Sequence, residues 1–331
     1  MTLQNDVDVY IIQKQTTLER YTKHNLKFNF YDYLIKDKQT PAPLQFAHNA
    51  HVKSRDILLK SLESLGLSYK LFHLEDLLKN TISYYDEEIV NSGLKPKRNL
   101  VISLGGDGTL LHASHHVGGD VCLLGINSCP EHSIGHLCPV IPDHIESALK
   151  CFINQEFHSK SLRRLKLNLS RKASLPLALN DVLLCNKHPA ATSRYQLSVY
   201  NHAQNKEQIQ EKQLSSGLWI ATAAGSTAAI ASYGFEQIAL DSPTIHIAVR
   251  EPYTPRHEKF SLEKGRLNGD ENSITFFSRM RQGLVCVDGP DSCAHLGFGD
   301  TVQLSLPEKC SLKLILDFFG KVPTFPFDKH K

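Results

Sequence analysis

Residues that can do chemistry are concentrated in one glycine-rich turn of this sequence, Gly105–Thr109, which reads GGDGT. The turn follows an apolar run, Val101–Leu104, that predicts a strand, and it leads into a stretch with helical character. A glycine turn at the start of a helix presents backbone N–H groups that bind phosphate. Asp107, its single carboxylate, suits a hydroxyl that attacks a phosphate or a magnesium ion that shields one. The same residues also fit a tight turn whose Asp caps the helix, so the turn alone leaves both interpretations open.

Other common nucleotide-binding patterns are missing from the sequence. It contains neither G-x-x-x-x-G-K-[ST] nor G-x-G-x-x-G, which argues against a P-loop NTPase and the usual dinucleotide fingerprint.

The 331 residues are 41% hydrophobic and 21% charged, with a net charge of +3, a composition typical of a globular protein. This charge gives no reason to expect a nucleic-acid or membrane partner. The first residues lack the features of a secretory signal, so we expect a cytoplasmic protein, or an organellar one if a presequence has been removed.

The cysteines and histidines do not form a recognisable metal site. None of the eight cysteines belongs to a C-x-x-C pair, which argues against a zinc ribbon or a thioredoxin-type motif. The adjacent His115 and His116 would point to different sides of a helix. We therefore expect no protein-borne metal site, and free thiols in a reducing compartment.

The order of predicted elements divides the chain. Residues 1–150 alternate strand-like runs with helical patterns, which predicts an α/β domain with a parallel sheet. Residues 151–305 contain many short β runs and one helical candidate, Thr227–Tyr233, which predicts a mainly β, sandwich-like domain. Residues 306–331 include an apolar stretch that we expect to return to the first domain. The strands predicted in the first domain are Val7–Ile12, Tyr69–Leu74, Asn99–Leu104 and Val121–Asn127, and a helix is expected to begin at Pro142 and Asp143.

Further motifs separate the families that share GGDGT. The turn is similar to that of NAD kinases, of diacylglycerol and sphingosine lipid kinases and, more weakly, of phosphofructokinases. SSGLWIATAAGSTAAIASYG at 215–234 resembles the NAD kinase signature D-G-L-x-x-x-T-P-T-G-S-T-A-Y, and ALNDVLL at 178–184 resembles that family's Asn-Glu motif. GHLC at 135–138 and an Asp-Gly pair at 288–289 resemble two more of its segments. The chain is identified as a member of the NAD kinase family, most similar to the branch of plant NADH kinases and mitochondrial-type NAD kinases.

The resemblance implies a two-domain fold with the nucleotide between the domains. It also implies ATP as phosphoryl donor, assistance by Mg²⁺, NAD⁺ or NADH as substrate, and a homo-oligomer of two or more chains. The adenosine 2′-hydroxyl attacks the γ-phosphate of ATP, and Asp107 is the catalytic residue that accepts or orients the hydroxyl proton. The residues assigned to nucleotide or phosphate binding are Gly105, Gly106, Gly108, Thr109, His112, Asn180, Asp181, Arg194, Ser216, Gly225, Ser226, Thr227, Ala228 and Asp288.

Three positions depart from the family pattern. Ser216 stands where the family has Asp, Ala229 where it has Tyr, and Asp181 where it has Glu. The carboxylate lost at Ser216 leaves the preference between NAD⁺ and NADH open. Two other functions also stay open at this stage: a lipid or sphingoid-base kinase that shares GGDGT, and a non-catalytic NAD(P)(H)-binding sensor.

Several candidates also have a purely structural interpretation. Without the resemblance, Asn180-Asp181 and Asp288-Gly289 are equally good turn dipeptides. Ser226 and Thr227 fit a helix cap. Arg194 fits a solvated strand residue, and His112 an ordinary position on the helix after the turn.

Overall fold

The structure, a computed structural model, describes residues 7–23, 41–77, 98–118, 121–171, 173–253 and 260–323. Two compact units make up the chain: one comprises residues 1–160 and 313–331, the other residues 161–312. The first limit lies beyond the boundary expected at 150, because the helix that crosses residue 150 packs into the core of the first unit. The second limit lies at residue 312, whereas the expected boundary was at 305. Within the described ranges, no helix is long and apolar enough to cross a membrane.

The first unit is built on a six-stranded sheet. Its strands are β1 Val7–Gln13, β2 Tyr69–His73, β3 Arg98–Gly105, β4 Cys122–Asn127, β5 His158–Leu162 and β17 Leu312–Asp317. Their order in the sheet is β2-β1-β3-β4-β17-β5. Strand β1 runs parallel to β2 and β3, and β4 runs parallel to β3 and β17. The predicted parallel α/β region is therefore confirmed, and the C-terminal strand β17 lies inside its sheet.

In the described part of this unit, the sheet is accompanied by five helices: α1 Thr17–Lys23, α2 Pro41–Ser64, α3 Leu74–Leu77, α4 Asp107–Ser114 and α5 Ile145–Ile153. In α5, Ile145, Leu149 and Ile153 recur at helical spacing and are buried in the core with strand residues. The helix expected at Pro142 begins as a 3₁₀ turn, Pro142–His144, before α5. The four predicted strands are confirmed as β1 to β4, although β2 ends at His73 because the next residue begins α3.

The second unit contains two antiparallel sheets. Its strands are β6 Lys166–Leu169, β7 Asp181–Asn186, β8 Ser193–Asn201, β9 Lys206–Ser215, β10 Gly217–Ala221, β11 Thr244–Arg250, β12 Lys264–Asn268, β13 Asn272–Ser278, β14 Gly283–Val287, β15 Cys293–Leu296 and β16 Thr301–Ser305. One sheet has the order β12-β11-β10-β7-β14-β15, and the other has the order β6-β16-β13-β8-β9. Apolar residues of both sheets share one buried core, because alternate residues of each strand face inward. The mainly β, sandwich-like domain is confirmed.

Two expectations for the second unit are wrong. The helical candidate Thr227–Tyr233 is not an α-helix: two 3₁₀ segments, Ala224–Thr227 and Ala229–Tyr233, are separated at Ala228 by a non-helical ψ of −144°. The thiols are also not all free. Cys286 on β14 and Cys293 on β15 are directly opposite each other and form a disulfide, whereas the other six cysteines are free.

Candidate functional site

The three glycines of the GGDGT turn are required for different reasons. A Cβ at Gly105, the last residue of β3, would lie 2.2 Å from Oγ1 of Thr109. A Cβ at Gly106 would lie 2.7 Å from Oγ of Ser133. Among the residues that the structure describes, a Cβ at Gly108, in the first turn of α4, would meet nothing within 4 Å. Packing therefore explains the first two glycines, whereas Gly108 borders open space that a ligand can enter.

Asp107 is the first residue of α4, and the backbone of the GHLC segment fixes its carboxylate. Its Oδ2 accepts a hydrogen bond from the N–H of His136 at 2.9 Å, and its Oδ1 accepts one from the N–H of Leu137 at 2.8 Å. Cys138, the next residue, is fully buried. Burial and the nearby charge of Asp107 raise the pKa of the Cys138 thiol well above its usual value, so it stays neutral. The two N–H groups therefore orient the carboxylate.

The segment that holds Asp107 is itself anchored to the first unit. The N–H of Ser128 donates to the carbonyl oxygen of Gly105 at 2.8 Å, and its hydroxyl lies 2.9 Å from Nδ1 of the buried His51 on α2. Burial lowers the pKa of His51 to about 4, so this imidazole is neutral at neutral pH. Nδ2 of Asn127 donates to the carbonyl oxygen of Ser133 at 3.0 Å. Sequence reasoning quoted GHLC as a motif but assigned no role to these supporting residues.

His112 lies on α4 with its ring edge-on to that of His115, at a centroid distance of 5.7 Å. It belongs to the same helix as Asp107 and Thr109. A nucleotide contact by His112 stays a prediction.

In the second unit, the structure brings the Asn-Asp motif and the Gly-Ser-Thr segment together. Asp181 is the first residue of β7, and Asn180 directly precedes the strand. A Cβ at Gly225 would lie 2.2 Å from the carbonyl oxygen of Asn180. In the part of the chain that the structure describes, Oδ1 of Asn180 and Oγ of Ser226 are buried without a hydrogen-bond partner. A buried polar atom without a partner is costly. These two atoms are therefore available to a ligand that reaches the cluster.

Asp288 also belongs to this cluster, directly after β14. Its carboxylate faces the backbone N–H groups of residues 179–181. Burial of Asp181 and, to a lesser degree, the nearby charge of Asp288 raise the pKa of Asp181 to about 7. The two remaining small residues of the motif, Thr227 and Ala228, are half-buried at the junction of the two 3₁₀ segments.

Arg194 on β8 and Ser216, between β9 and β10, line a separate cavity of about 360 Å³ in the second unit. Glu251 and Tyr253, which follow the end of β11 at Arg250, also line this cavity, and neither was among the predicted site residues. Tyr253 is 64% exposed, and Glu251 has a positive φ of 38°, a backbone conformation uncommon outside glycine. The cavity thus combines a guanidinium, a carboxylate, a hydroxyl and an aromatic ring.

Known proteins resemble this chain in sequence and in fold. The ATP-NAD kinase N-terminal domain family matches residues 15–157. A probable NADH kinase of Oryza sativa subsp. japonica is 31% identical over 233 residues, which are 66% of this chain and 71% of the relative. The NADH kinase of Arabidopsis thaliana is 33% identical over 223 residues, which are 62% of this chain and 69% of the relative.

Two solved structures share the fold. Yeast NADH kinase, crystallised with NADH, superposes with a TM-score of 0.61 at 16% identity, over 96% of this chain and 86% of the other. An NAD kinase from Archaeoglobus fulgidus, crystallised with ATP, superposes with a TM-score of 0.57 at 17% identity, over 95% and 94% of the two chains.

Proposed function

Because the chain belongs to the NAD kinase family, we propose that it transfers the γ-phosphoryl group of ATP to the adenosine 2′-hydroxyl of NAD⁺ and NADH. The products are ADP and NADP⁺ or NADPH. In this reaction the hydroxyl oxygen bonds to the γ-phosphorus, the bond to the β–γ bridging oxygen breaks, and the hydroxyl proton is released. None of the similarities described above favours a lipid kinase or a non-catalytic sensor.

The fixed carboxylate of Asp107 is the observation that carries this proposal. Phosphoryl transfer needs little covalent chemistry from the protein, so positioning and electrostatic stabilisation supply most of the catalysis. Two backbone N–H groups, at 2.9 and 2.8 Å, hold the carboxylate at the start of α4. Asp107 would accept the hydroxyl proton or orient the hydroxyl, and the open side of Gly108 would let phosphate approach the helix N-terminus.

The second unit would recognise the dinucleotide. Oδ1 of Asn180 and Oγ of Ser226, which lack protein partners in the described structure, suit the donors of a nucleoside. The carboxylate of Asp181 suits ribose hydroxyls. Arg194 and Ser216 share a cavity, where the guanidinium can bind a phosphate or an amide oxygen.

Mg²⁺ would arrive with ATP. Among the residues that the structure describes, no group of three or more His, Cys, Asp or Glu side chains could hold a metal ion. Mg²⁺ sites in phosphotransferases rely mainly on phosphate oxygens and water. A site without a cluster of protein ligands fits an ion that is held mainly by ATP and water. The bound ion would neutralise charge on the transferring phosphoryl group. The N–H groups at the start of α4 would hold the phosphates themselves.

We also propose that the protein is a homo-oligomer and that it is cytoplasmic or organellar. The family resemblance supports a homo-oligomer of two or more chains, which sedimentation or light scattering would test. It is compatible with a cytoplasmic or organellar location.

A coupled assay for NADP⁺ and NADPH formation, with ATP and either dinucleotide, tests the proposed function. Asp107→Asn should lower turnover by at least about 10²-fold, with dinucleotide binding retained. Asp143→Asn, at an exposed Asp of a 3₁₀ turn in the same unit, is the matched control and should retain activity. Binding of both dinucleotides without phosphorylation of either would contradict the kinase proposal.

A further inference from the structure

The turn that carries Asn180 and Asp181 is held by the carboxylate of Asp288. Asp288 is 7% exposed. Its Oδ2 accepts a hydrogen bond from the N–H of Leu179 at 2.8 Å. Its Oδ1 accepts hydrogen bonds from the N–H groups of Asn180 at 2.8 Å and Asp181 at 3.0 Å. In return, the N–H of Asp288 donates to the carbonyl oxygen of Asp181 at 2.9 Å. Three successive peptide groups thus converge on one buried carboxylate.

We propose that Asp288 is a positioning residue, which sets the backbone of residues 179–181 and places a negative charge beside Asp181 without contacting the nucleotide. This differs from the nucleotide-binding role that the family resemblance implied for it. The inference rests on the proposed function, because it assumes that Asn180 and Asp181 bind the dinucleotide.

The opposite side of the turn is held as well. Oγ1 of Thr222 donates to the carbonyl oxygen of Leu179 at 2.5 Å, and the N–H of Thr222 donates to that of Asn180 at 2.9 Å. The N–H groups and the carbonyl groups of residues 179–181 are therefore bound within the protein. The side-chain oxygen of Asn180 is left without a partner in the described residues, so the side chain is the part of this turn that can meet a ligand.

The backbone of Asp288 supports the same interpretation. Its φ is 49°, in a left-handed region that non-glycine residues seldom adopt. Aspartate and asparagine are the non-glycine residues that tolerate it best. A side chain that served only as a turn former would be replaceable by glycine, whereas three N–H groups need the carboxylate.

Asp288 also adds to the effect of burial on the electrostatics of Asp181. Asp181 is 8% exposed, and burial together with the charge of Asp288 raises its pKa to about 7. The residue opposite Asp181 on β10 is the uncharged Ala221, and beyond it on β11 lies His246. The buried guanidinium of Arg164 interacts with the charge of Asp288. Removing the charge of Asp288 removes a like charge from Asp181, so the pKa of Asp181 falls.

The test compares Asp288→Asn with the wild-type kinase between pH 5.5 and 9. In the wild type, kcat/KM for the dinucleotide should rise through about pH 7 as Asp181 ionises. In Asp288→Asn we expect KM for the dinucleotide to rise at least about 10-fold, with kcat within about threefold. The midpoint of the pH rise should move to lower pH by at least about 0.5 unit. Asp291→Asn, at an exposed residue of the same turn, is the control and should change neither quantity.

An unchanged KM, or a raised KM with an unmoved pH midpoint, overturns the proposal. A wild-type protein that phosphorylates neither dinucleotide contradicts the proposed function instead, so the two failures are distinguishable. If Asp288→Asn does not fold, Thr222→Val removes the hydroxyl that binds the other side of the turn. It should raise KM and leave the pH midpoint in place, because no charge is lost; an unchanged KM in this variant also overturns the proposal.

Discussion

At the scale of single residues, a substitution at Gly108 tests phosphate binding without disturbing the packing of the protein. Its Cβ position is open, and its backbone is helical. Gly108→Ala should therefore leave the free energy of unfolding unchanged or raise it by up to about 1 kcal/mol, because alanine favours a helix. If phosphate approaches the backbone here, the added methyl group should lower kcat/KM for ATP by about 10-fold or more.

Gly105→Ala is the contrasting variant. Its Cβ would lie 2.2 Å from Oγ1 of Thr109, so this change should lower the melting temperature as well as activity. Thermal unfolding and steady-state kinetics of both variants check the distinction. If Gly108→Ala lost stability and kept its activity, the open space beside it would not be a phosphate site.

The sequence predicted Asp107 but not the groups that hold it. The GGDGT pattern identifies the carboxylate, because its residue types and spacing are specific to phosphoryl transfer once the downstream motifs are read with it. Its partners are the N–H groups of His136 and Leu137. Every residue except proline offers such a group, so no side-chain pattern reveals which one is used. The same reason hid the role of Asp288, whose three partners are also backbone N–H groups.

At the scale of elements, the pairing of strands determines which two cysteines form the disulfide, and the sequence did not predict this pairing. Cys286 and Cys293 are separated by seven positions, so they do not form a C-x-x-C pair. They meet because β14 and β15 pair with these two residues in register. The alternation of apolar residues predicted strands in this region, but register depends on the turn between them. The 3₁₀ segments at 224–233 were missed for a similar reason, since small residues fit several local conformations equally well.

Reduction of this disulfide should loosen the β14–β15 hairpin. A short loop of this length is expected to contribute at most about 2–3 kcal/mol through the entropy of the unfolded chain. β15 is an edge strand of its sheet, so the loss should appear as faster amide hydrogen exchange in residues 283–296. The comparison is between oxidised protein and protein treated with a dithiol. The paired Cys286→Ser and Cys293→Ser variant is the control, and it should not respond to the dithiol; an equal response would assign the effect to other cysteines.

At the scale of the whole molecule, the chain returns to its first unit after completing the second. The apolar stretch near the C-terminus predicted this return, and the structure shows how it occurs. Strand β17 lies between β4 and β5, and Ile315, Phe318 and Val322 are buried in the first core. The exact limits of the units were not predictable, because α5 and β5 contain no break in pattern at residue 150. Only packing assigns them to the first unit.

This return makes the first unit depend on the last part of the chain. A protein that ends at Ser311 lacks β17, which carries Ile315, and also lacks Phe318 and Val322, which follow the strand into the core. Each large buried apolar side chain contributes about 2–5 kcal/mol, so the loss of three rivals the stability of a typical domain, about 5–15 kcal/mol. Amides of β1, β3 and β4 should therefore lose protection from hydrogen exchange, and kinase activity should disappear. Strands of the second unit should keep their protection, because residues 161–312 are continuous in sequence.

A chain that ends at Pro323 keeps β17 and these apolar residues and serves as the control. Equal protection of β1, β3 and β4 in the two truncated proteins would show that β17 is dispensable for the first unit.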